Sequence, residues 1–323
     1  MKSSFGKNLR VTIFGGSHED HIGVCIEGFP SDFAIDFQAL QAFMQRRAPG
    51  QNPYSTPRKE RDIPRLQSRD PLTFIIQNED RKSGHYSNLR QVPRPGHADY
   101  TARVKYGDQI NMAGGGPFSA RMTAPLCVAG GIALQYLAAQ GIQIHGEVTE
   151  IHGVRGEKML EEILAAKAKG DSVGGIVSAQ VTGLPPGIGG PMYDGLESIL
   201  APIIFGIPAV KGLSFGSGFA GSRLLGSENN DPFVFQEGKV KTLTNHSGGI
   251  LGGISTGMPL TLSVAFKPTP SIAKPQQSVN LQQKTEETLI IEGRHDPCVV
   301  LRAVPVVEAA IALGLLDAMM EEQ

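Results

Sequence analysis

Forty glycines and 22 prolines punctuate this chain of 323 residues, so it can fold only into something rich in tight, shaped turns. Glycine reaches positive φ and lets a backbone come close to a ligand, whereas proline fixes φ and stops helices. Disorder enriches both residues too, but 40% of this chain is apolar, more than a disordered chain carries. That fraction can bury a large core as one big domain or two moderate ones. The glycines are then either turn residues of a loop-rich fold or parts of binding loops, and their placement decides which.

Regular elements show between the turns. Residues 10–14 and 23–26 read as short strands beside the Gly15-Gly-Ser-His18 turn. Asp36 is placed to cap a helix that carries Phe37, Leu40, Phe43 and Met44 on one face and stops before Pro49-Gly50. Residues 50–70 are polar and proline-rich, a long loop of the kind that tends to be functional. Strands are expected at 72–77, 142–154, 175–182 and 260–266. Helices are expected at 119–140 (capped by Ser119 and stopped by Gly141), 157–169 and 195–206. A last helix is expected to start near Pro305, a favourable first-turn residue. No repeat or linker divides the chain, so one α+β domain over 1–323 is expected, with helices packed against sheet.

Several functions are disfavoured. The net charge of −1 lacks the basic excess that a nucleic-acid surface needs. The N-terminus has no apolar core of signal-peptide length, and 306–320 is short for a membrane span and carries Glu308 and Asp317. Cys25, Cys127 and Cys298 are few and far apart, which fits a reducing compartment, neither a disulfide framework nor a zinc site. A cytoplasmic protein is expected, with no membrane and no nucleic-acid partner.

Five segments combine small residues with His or a basic residue. They are Gly15-Gly-Ser-His18, Arg94-Pro-Gly-His97, Gly114-Gly-Gly-Pro-Phe-Ser-Ala-Arg121, Asn245-His-Ser-Gly-Gly249 with Gly252-Gly253, and Gly293-Arg-His-Asp-Pro297. A glycine run opening a helix at Ser119 offers backbone N–H groups and a positive dipole end to a phosphate. It is not the dinucleotide fingerprint, and 248–257 lacks the Gly-Lys-Ser ending of a nucleotide loop. His18 and His97 can act as general acids, since imidazole titrates near neutrality. Taken singly, a histidine in a glycine turn is more often structural. No histidines sit at ligand spacing with a carboxylate cluster, so no metal is expected. Arg46 and Arg47 at a helix end, and Arg58, Lys59, Arg61 and Arg65 in a loop, are by default solvated.

In order along the chain these segments resemble the chorismate synthases. The matching stretches are Arg10-Val-Thr-Ile-Phe-Gly15 with Ser17-His18, Arg46-Arg47 with Pro49-Gly50, and Arg94-Pro-Gly-His-Ala-Asp-Tyr-Thr101. Gly114-Gly-Gly116 with Ser119-Ala-Arg121, Ile207-Pro-Ala-Val-Lys211 and Gly226-Ser-Glu-Asn-Asn-Asp231 follow. The set closes with Asn245–Gly257, Lys267-Pro-Thr-Pro-Ser-Ile272, and Gly293–Cys298 through Arg302-Ala-Val-Pro305.

The resemblance implies a β-α-β sandwich, usually a homotetramer. The implied reaction is a 1,4-elimination of phosphate from 5-enolpyruvylshikimate 3-phosphate, which gives chorismate and needs reduced FMN without net oxidation. A substrate with two carboxylates and a phosphate calls for arginines that bind planar anions bidentately. By resemblance His18 protonates the departing phosphate, His97 sits by the flavin ring, and Asp296 assists proton removal through the flavin. Arg47, Arg121 and Arg294 match substrate-binding positions. Ser119, Pro208, Ala209, Gly252, Lys267, Pro268, Thr269, Pro270, Ser271 and Arg294 match flavin-binding positions. The chain departs from the family pattern at Gly16, where Glu is common, at Pro117-Phe118, where Arg-Ser is usual, and at Met122, where Glu is usual. The alternative enzyme reading is a flavin oxidoreductase that takes hydride from NADPH, and the sequence lacks a nicotinamide fingerprint for it. Whether the chain reduces its own flavin with NADPH stays open.

Overall fold

The structure is a computed structural model, and it describes residues 2–50, 53–56, 60–79, 91–291, 293 and 295–320. A first antiparallel sheet has the order β1-β2-β3-β5-β4. Its strands are β1 (Lys2–Phe5), β2 (Arg10–Gly15), β3 (His21–Glu27), β4 (Arg65–Arg69) and β5 (Leu72–Gln77), with α1 (Phe37–Arg47) between β3 and β4. The register sets Ile22 opposite Ile76 and Val24 opposite Phe74, so one face of the sheet is buried and apolar.

The chain continues through α2 (Asp99–Tyr106) and α3 (Thr123–Ala139) into β6 (Gln143–Ile151), α4 (Met159–Ala168), β7 (Gly175–Thr182), α5 (Leu196–Phe205) and β8 (Val210–Phe215). Two single-turn helices, α6 (Gly218–Gly221) and α7 (Gly226–Asn229), lead to the ribbon β9 (Phe233–Gln236) and β10 (Lys239–Thr242). The hairpin β11 (Ile250–Leu251) and β12 (Ile254–Ser255) precedes β13 (Leu260–Phe266); β14 (Gln276–Asn280) and β15 (Thr285–Leu289) form a hairpin before α8 (Val300–Met319). The second antiparallel sheet has the order β6-β7-β13-β8. Leu260, Leu262, Val264 and Phe266 all point inward from β13, as strict alternation requires.

Helices fill the space between the sheets. α3 lies on β2, β3 and β5, α8 lies on β6 and β7, the two pack on each other, and α1 and α5 flank α8. This is the β-α-β sandwich of α+β class that the resemblance implied. Every residue of α8 from Ala303 to Ala318 is buried, and a helix apolar all round belongs in such a layer. The stretch Ala120–Ala139 is long and apolar enough to cross a membrane by length and composition, and here it is mostly buried between the sheets.

The charges inside α8 are matched. Glu308 accepts both arms of Arg46, at 2.7 and 2.9 Å, and the N–H of Gly146 at 2.9 Å. Asp317 accepts the backbone N–H groups of Lys7, Asn8 and Leu9 at 3.0, 2.7 and 2.7 Å, which pins the loop between β1 and β2 to the core.

Two adjacent glycines set how closely the helices approach. A Cβ on Gly130 would lie 2.2 Å from the Cβ of Ala309 on α8, and one on Gly131 would lie 2.7 Å from Leu40 on α1. Alanine normally favours a helix by up to about 1 kcal/mol over glycine. At position 130 the clash with backbone reverses that sign, since overpacking costs about 1–3 kcal/mol. Gly130→Ala is therefore expected to destabilise the protein by about that much, as read from the urea midpoint. An unchanged or raised midpoint would mean that the α3–α8 contact can relax.

Four sequence expectations change. Ser119 caps a one-turn 3-10 helix (Ala120–Met122), and α3 proper starts at Thr123. The last helix starts at Val300, so Pro305 lies inside it; the inward packing of Val304 and Glu308 on Gly146 of β6 holds this stretch helical. β4 lies within the expected 50–70 loop, and α2 lies where no element was expected.

Candidate active site

The three glycines 114–116 all have positive φ (59°, 92° and 52°), a path closed to most side chains. The reason is on either side of the loop. A Cβ on Gly114 would lie 2.3 Å from Cε1 of His18, and one on Gly115 would lie 3.2 Å from Nε2 of His97. One loop thus touches both imidazoles, which come from segments 79 residues apart in sequence (97 − 18). Ser17 fastens the first histidine turn to the loop: its N–H donates to Gly116 O at 3.3 Å and its hydroxyl to Ala113 O at 3.0 Å.

His97 stands at the start of α2 beside a buried ion pair. Arg94 grips Asp99 through Nε and Nη2, both at 2.7 Å, and through its own backbone N–H at 3.0 Å. Nδ1 of His97 is 2.8 Å from Asp99 Oδ1 and 3.1 Å from Arg94 Nη2. Burial alone would raise the Asp99 carboxyl, but the hydrogen bonds and charge of Arg94 and His97 outweigh it and hold the group well below the usual carboxylate range. Arg94 also donates to Ser271 Oγ at 3.1 Å, and the Lys267 ammonium donates to Gly96 O. Residues 267–271 are thereby held against the His97 segment.

Arg47 and Arg121 converge on Asp62. Each donates from Nη1 to a separate oxygen of that carboxylate, whose side chain is 0% exposed. Burial pushes the Asp62 carboxyl upward, and the two guanidinium charges with their hydrogen bonds override it, so its pKa is lowered. Nε of Arg47 donates to Thr123 Oγ1 at 3.2 Å. Nε of Arg121 donates to Asn78 Oδ1 at 3.0 Å, and the Asn78 amide donates to the carbonyls of Gly16 and Glu19, on both sides of His18.

Asp296 closes the circuit. Its Oδ2 accepts from Arg302 Nη1 at 2.8 Å, its carbonyl accepts from Thr269 Oγ1 at 2.7 Å, and Arg302 Nε donates to the Arg47 carbonyl at 3.0 Å. From His18 the contacts run through the glycine loop to His97, then by Arg94 to 267–271, by Asp296 and Arg302 to Arg47, and by Asp62, Arg121 and Asn78 back to His18. Eight separate parts of the sequence form one ring, with two imidazoles, the carboxylates of Asp62 and Asp296 and several guanidiniums on it. Such a set can deliver a proton, hold anions and receive a proton within one assembly.

The ring brings together His18, His97, Asp296, Arg47, Arg121, Ser119, Lys267, Thr269 and Ser271; Pro268 and Pro270 lie in the same loop. Pro208 and Ala209 adjoin it, because the Ala209 carbonyl accepts from Lys267 N–H at 2.9 Å. Gly252 sits elsewhere, in the β11–β12 turn, whose hairpin is bonded to 187–196. Arg294, expected at both the substrate and the flavin, lies outside the described residues, as do Arg58 and Lys59. Ser119 caps Arg121 N–H, and the N–H groups of Gly115 and Ser119 donate within their own loop. Phe118 tilts against Tyr106, with ring centroids 6.4 Å apart.

Arg47 is not solvated at its helix end, and its pairing with Asp62 explains why. Asp62 and Asp99 escaped the sequence reading: Asp62 sits in a charged run that looks like surface, and Asp99 follows His97 by two residues. A search for a carboxylate that orients the histidine would have found Asp99. The Asn245–Gly249 turn is held by Asp231, which accepts from Thr244 Oγ1 and the N–H groups of His246 and Ser247 at 2.6, 2.7 and 2.9 Å. Among the described residues no His, Cys, Asp and Glu group is arranged to hold a metal ion.

A β-α-β sandwich whose loops assemble two histidines, several arginines and carboxylates has the groups that an enzyme working on a small molecule would use. The sequence model of the family described as chorismate synthase matches residues 9–320. A chorismate synthase of Lancefieldella parvula is 43% identical over 365 aligned positions, covering 98% of this chain and 96% of its own length. Those of Korarchaeum cryptofilum (98% and 97% covered) and Thermococcus kodakarensis (97% and 96%) are each 41% identical. A crystal structure of chorismate synthase superposes with a TM-score of 0.75 at 23% identity, covering 98% of this chain and 93% of that one, which concerns the fold alone. The chain belongs to the chorismate synthase family, and it is an enzyme with that family's lyase role in the shikimate pathway.

Proposed function

We propose that the chain, as one catalytic domain over residues 1–323, converts 5-enolpyruvylshikimate 3-phosphate to chorismate and phosphate by 1,4-elimination. The observation that carries this reading is the single glycine loop that touches both His18 and His97 inside a ring of arginines. His18 is the acid that gives a proton to the departing phosphate, and His97 is the second imidazole of the site. Asp296, held by Arg302, is the carboxylate that receives a proton. Arg47 and Arg121 bind substrate anions: a guanidinium carries five N–H donors, and Asp62 takes one from each.

Reduced FMN is the proposed cofactor, and the residues beside His97 fit it. Lys267 supplies a cation, Thr269 and Ser271 supply hydroxyls, and Ala209 at φ 73° holds its turn against Lys267. These residues, with Ser119, Pro208, Pro268 and Pro270, would hold it. When bound it would supply electron density to the elimination with no net oxidation. Steady chorismate formation with reduced FMN under anaerobic conditions, without consumption of reductant, tests the reading. Turnover with oxidised FMN and no reductant would overturn it.

The working form is a cytoplasmic homotetramer in this reading. Phe233, Phe235 and Val240 of the β9–β10 ribbon, with Leu243 beyond it, are exposed, Phe235 by 82%. Contiguous exposed apolar side chains of this kind mark association surfaces. Phe235→Glu is expected to shift the protein to a smaller species in sedimentation velocity. An unchanged assembly would remove the ribbon from the interface.

A further inference from the structure

Nδ1 of His97 sits between a donor and an acceptor. Arg94 Nη2 is 3.1 Å away and Asp99 Oδ1 is 2.8 Å away. A guanidinium only donates and a carboxylate only accepts, so the two contacts call for opposite tautomers of the neutral ring. The rest of the cluster settles the conflict. Arg94 Nη2 already lies 2.7 Å from the same Oδ1, while Arg94 Nε and N–H hold Oδ2 at 2.7 and 3.0 Å. With both oxygens so gripped, a bare Nδ1 would set its lone pair against Oδ1 at 2.8 Å with no proton between them. An Nδ1–H removes that repulsion and makes a charge-assisted hydrogen bond in a buried site.

We propose that Asp99 is the positioning residue of His97. It accepts the Nδ1 proton, fixes the neutral ring as the Nδ1–H tautomer, and leaves Nε2 as the nitrogen that gains and loses a proton. Nε2 is the ring atom that faces Gly115 of the triglycine loop. The buried Arg94–Asp99 pair also holds Ser271, so the loop 267–271 and the imidazole are oriented by one carboxylate. The link from tautomer to turnover rests on the reading that His97 acts in the reaction; the tautomer itself does not.

The test is solid-state 15N NMR of the histidine-labelled enzyme, at a pH where the ring is neutral, with His97→Gln assigning the signal. The parent is expected to show a protonated Nδ1 and a bare Nε2. In Asp99→Asn the amide oxygen stays with the two Arg94 donors that hold Oδ2, which turns the NH2 toward Nδ1. That variant is expected to invert the tautomer and to lose roughly a hundred- to ten-thousand-fold in turnover, the usual worth of a general acid–base group. A parent ring protonated at Nε2, or an Asp99→Asn ring still protonated at Nδ1, would overturn the proposal. The parent spectrum decides even where the variant does not fold. Inversion with full turnover retained would uphold Asp99 as the tautomer lock and remove His97 from the chemistry.

Discussion

Alanine at His18 or at His97 is expected to lower turnover roughly a hundred- to ten-thousand-fold while the fold stays in place. The size follows from what a positioned acid–base group contributes to a proton transfer. Both rings stand in loops outside the α3–α8 core, and neither is fully buried, so their loss opens no core cavity. The turn around His18 is held by Ser17 and Asn78 through backbone atoms, which survive the substitution. Truncating His97 leaves the Arg94–Asp99 pair intact. Steady-state kinetics beside thermal melts would separate chemistry from folding. Near-normal turnover in both variants would mean that the glycine loop packs structural histidines.

Asp62→Ala is expected to produce the largest loss of stability, about 3–5 kcal/mol, because it removes the carboxylate shared by two buried guanidiniums, although Glu60 remains 3.6 Å from Arg121 Nη2. Arg47 is 3% and Arg121 8% exposed, and Asp62 is the carboxylate that both reach from Nη1. The same pairing predicts a pH dependence. The folded-state pKa of Asp62 is depressed, so its contribution is fully present above the unfolded value, about 3.9. It is lost as pH falls from there through the folded value. The destabilisation by Asp62→Ala, measured in urea, should therefore be full at neutral pH and shrink below about pH 4. A midpoint shift near zero at pH 7 would show that water solvates these arginines and that the pairing contributes little.

Much of the sandwich was legible because its central strands announce themselves. Strands 72–77 and 175–182 fall at their expected ends, and the alternation across 260–266 survives unchanged as buried and half-buried positions. The Asp36 cap was legible too, its carboxylate accepting from Gln38 and Ala39 N–H. β4 was not, since Arg65, Gln67 and Arg69 face solvent on an edge strand that carries charge rather than an apolar face. α2 was not, because its first turn is also the end of the Arg94–Asp99 cluster, and local chemistry there masks the helical period. In the site, histidines and glycines stand out in sequence as residue types. Their counter-charges do not: Asp62 and Asp99 look like ordinary acids until the fold buries them beside arginines. Pro305 misled for the opposite reason, since a strong local signal yielded to the packing of α8 on β6.

The proposed requirement is for a reduced flavin that the lyase does not consume. It is tested most directly by following chorismate absorbance and reductant together, in one anaerobic mixture of protein, 5-enolpyruvylshikimate 3-phosphate and reduced FMN. Many turnovers of chorismate per flavin with the reductant unchanged is the result expected. Reductant lost one for one with product, or chorismate formed equally well from oxidised FMN with no reductant present, would contradict it.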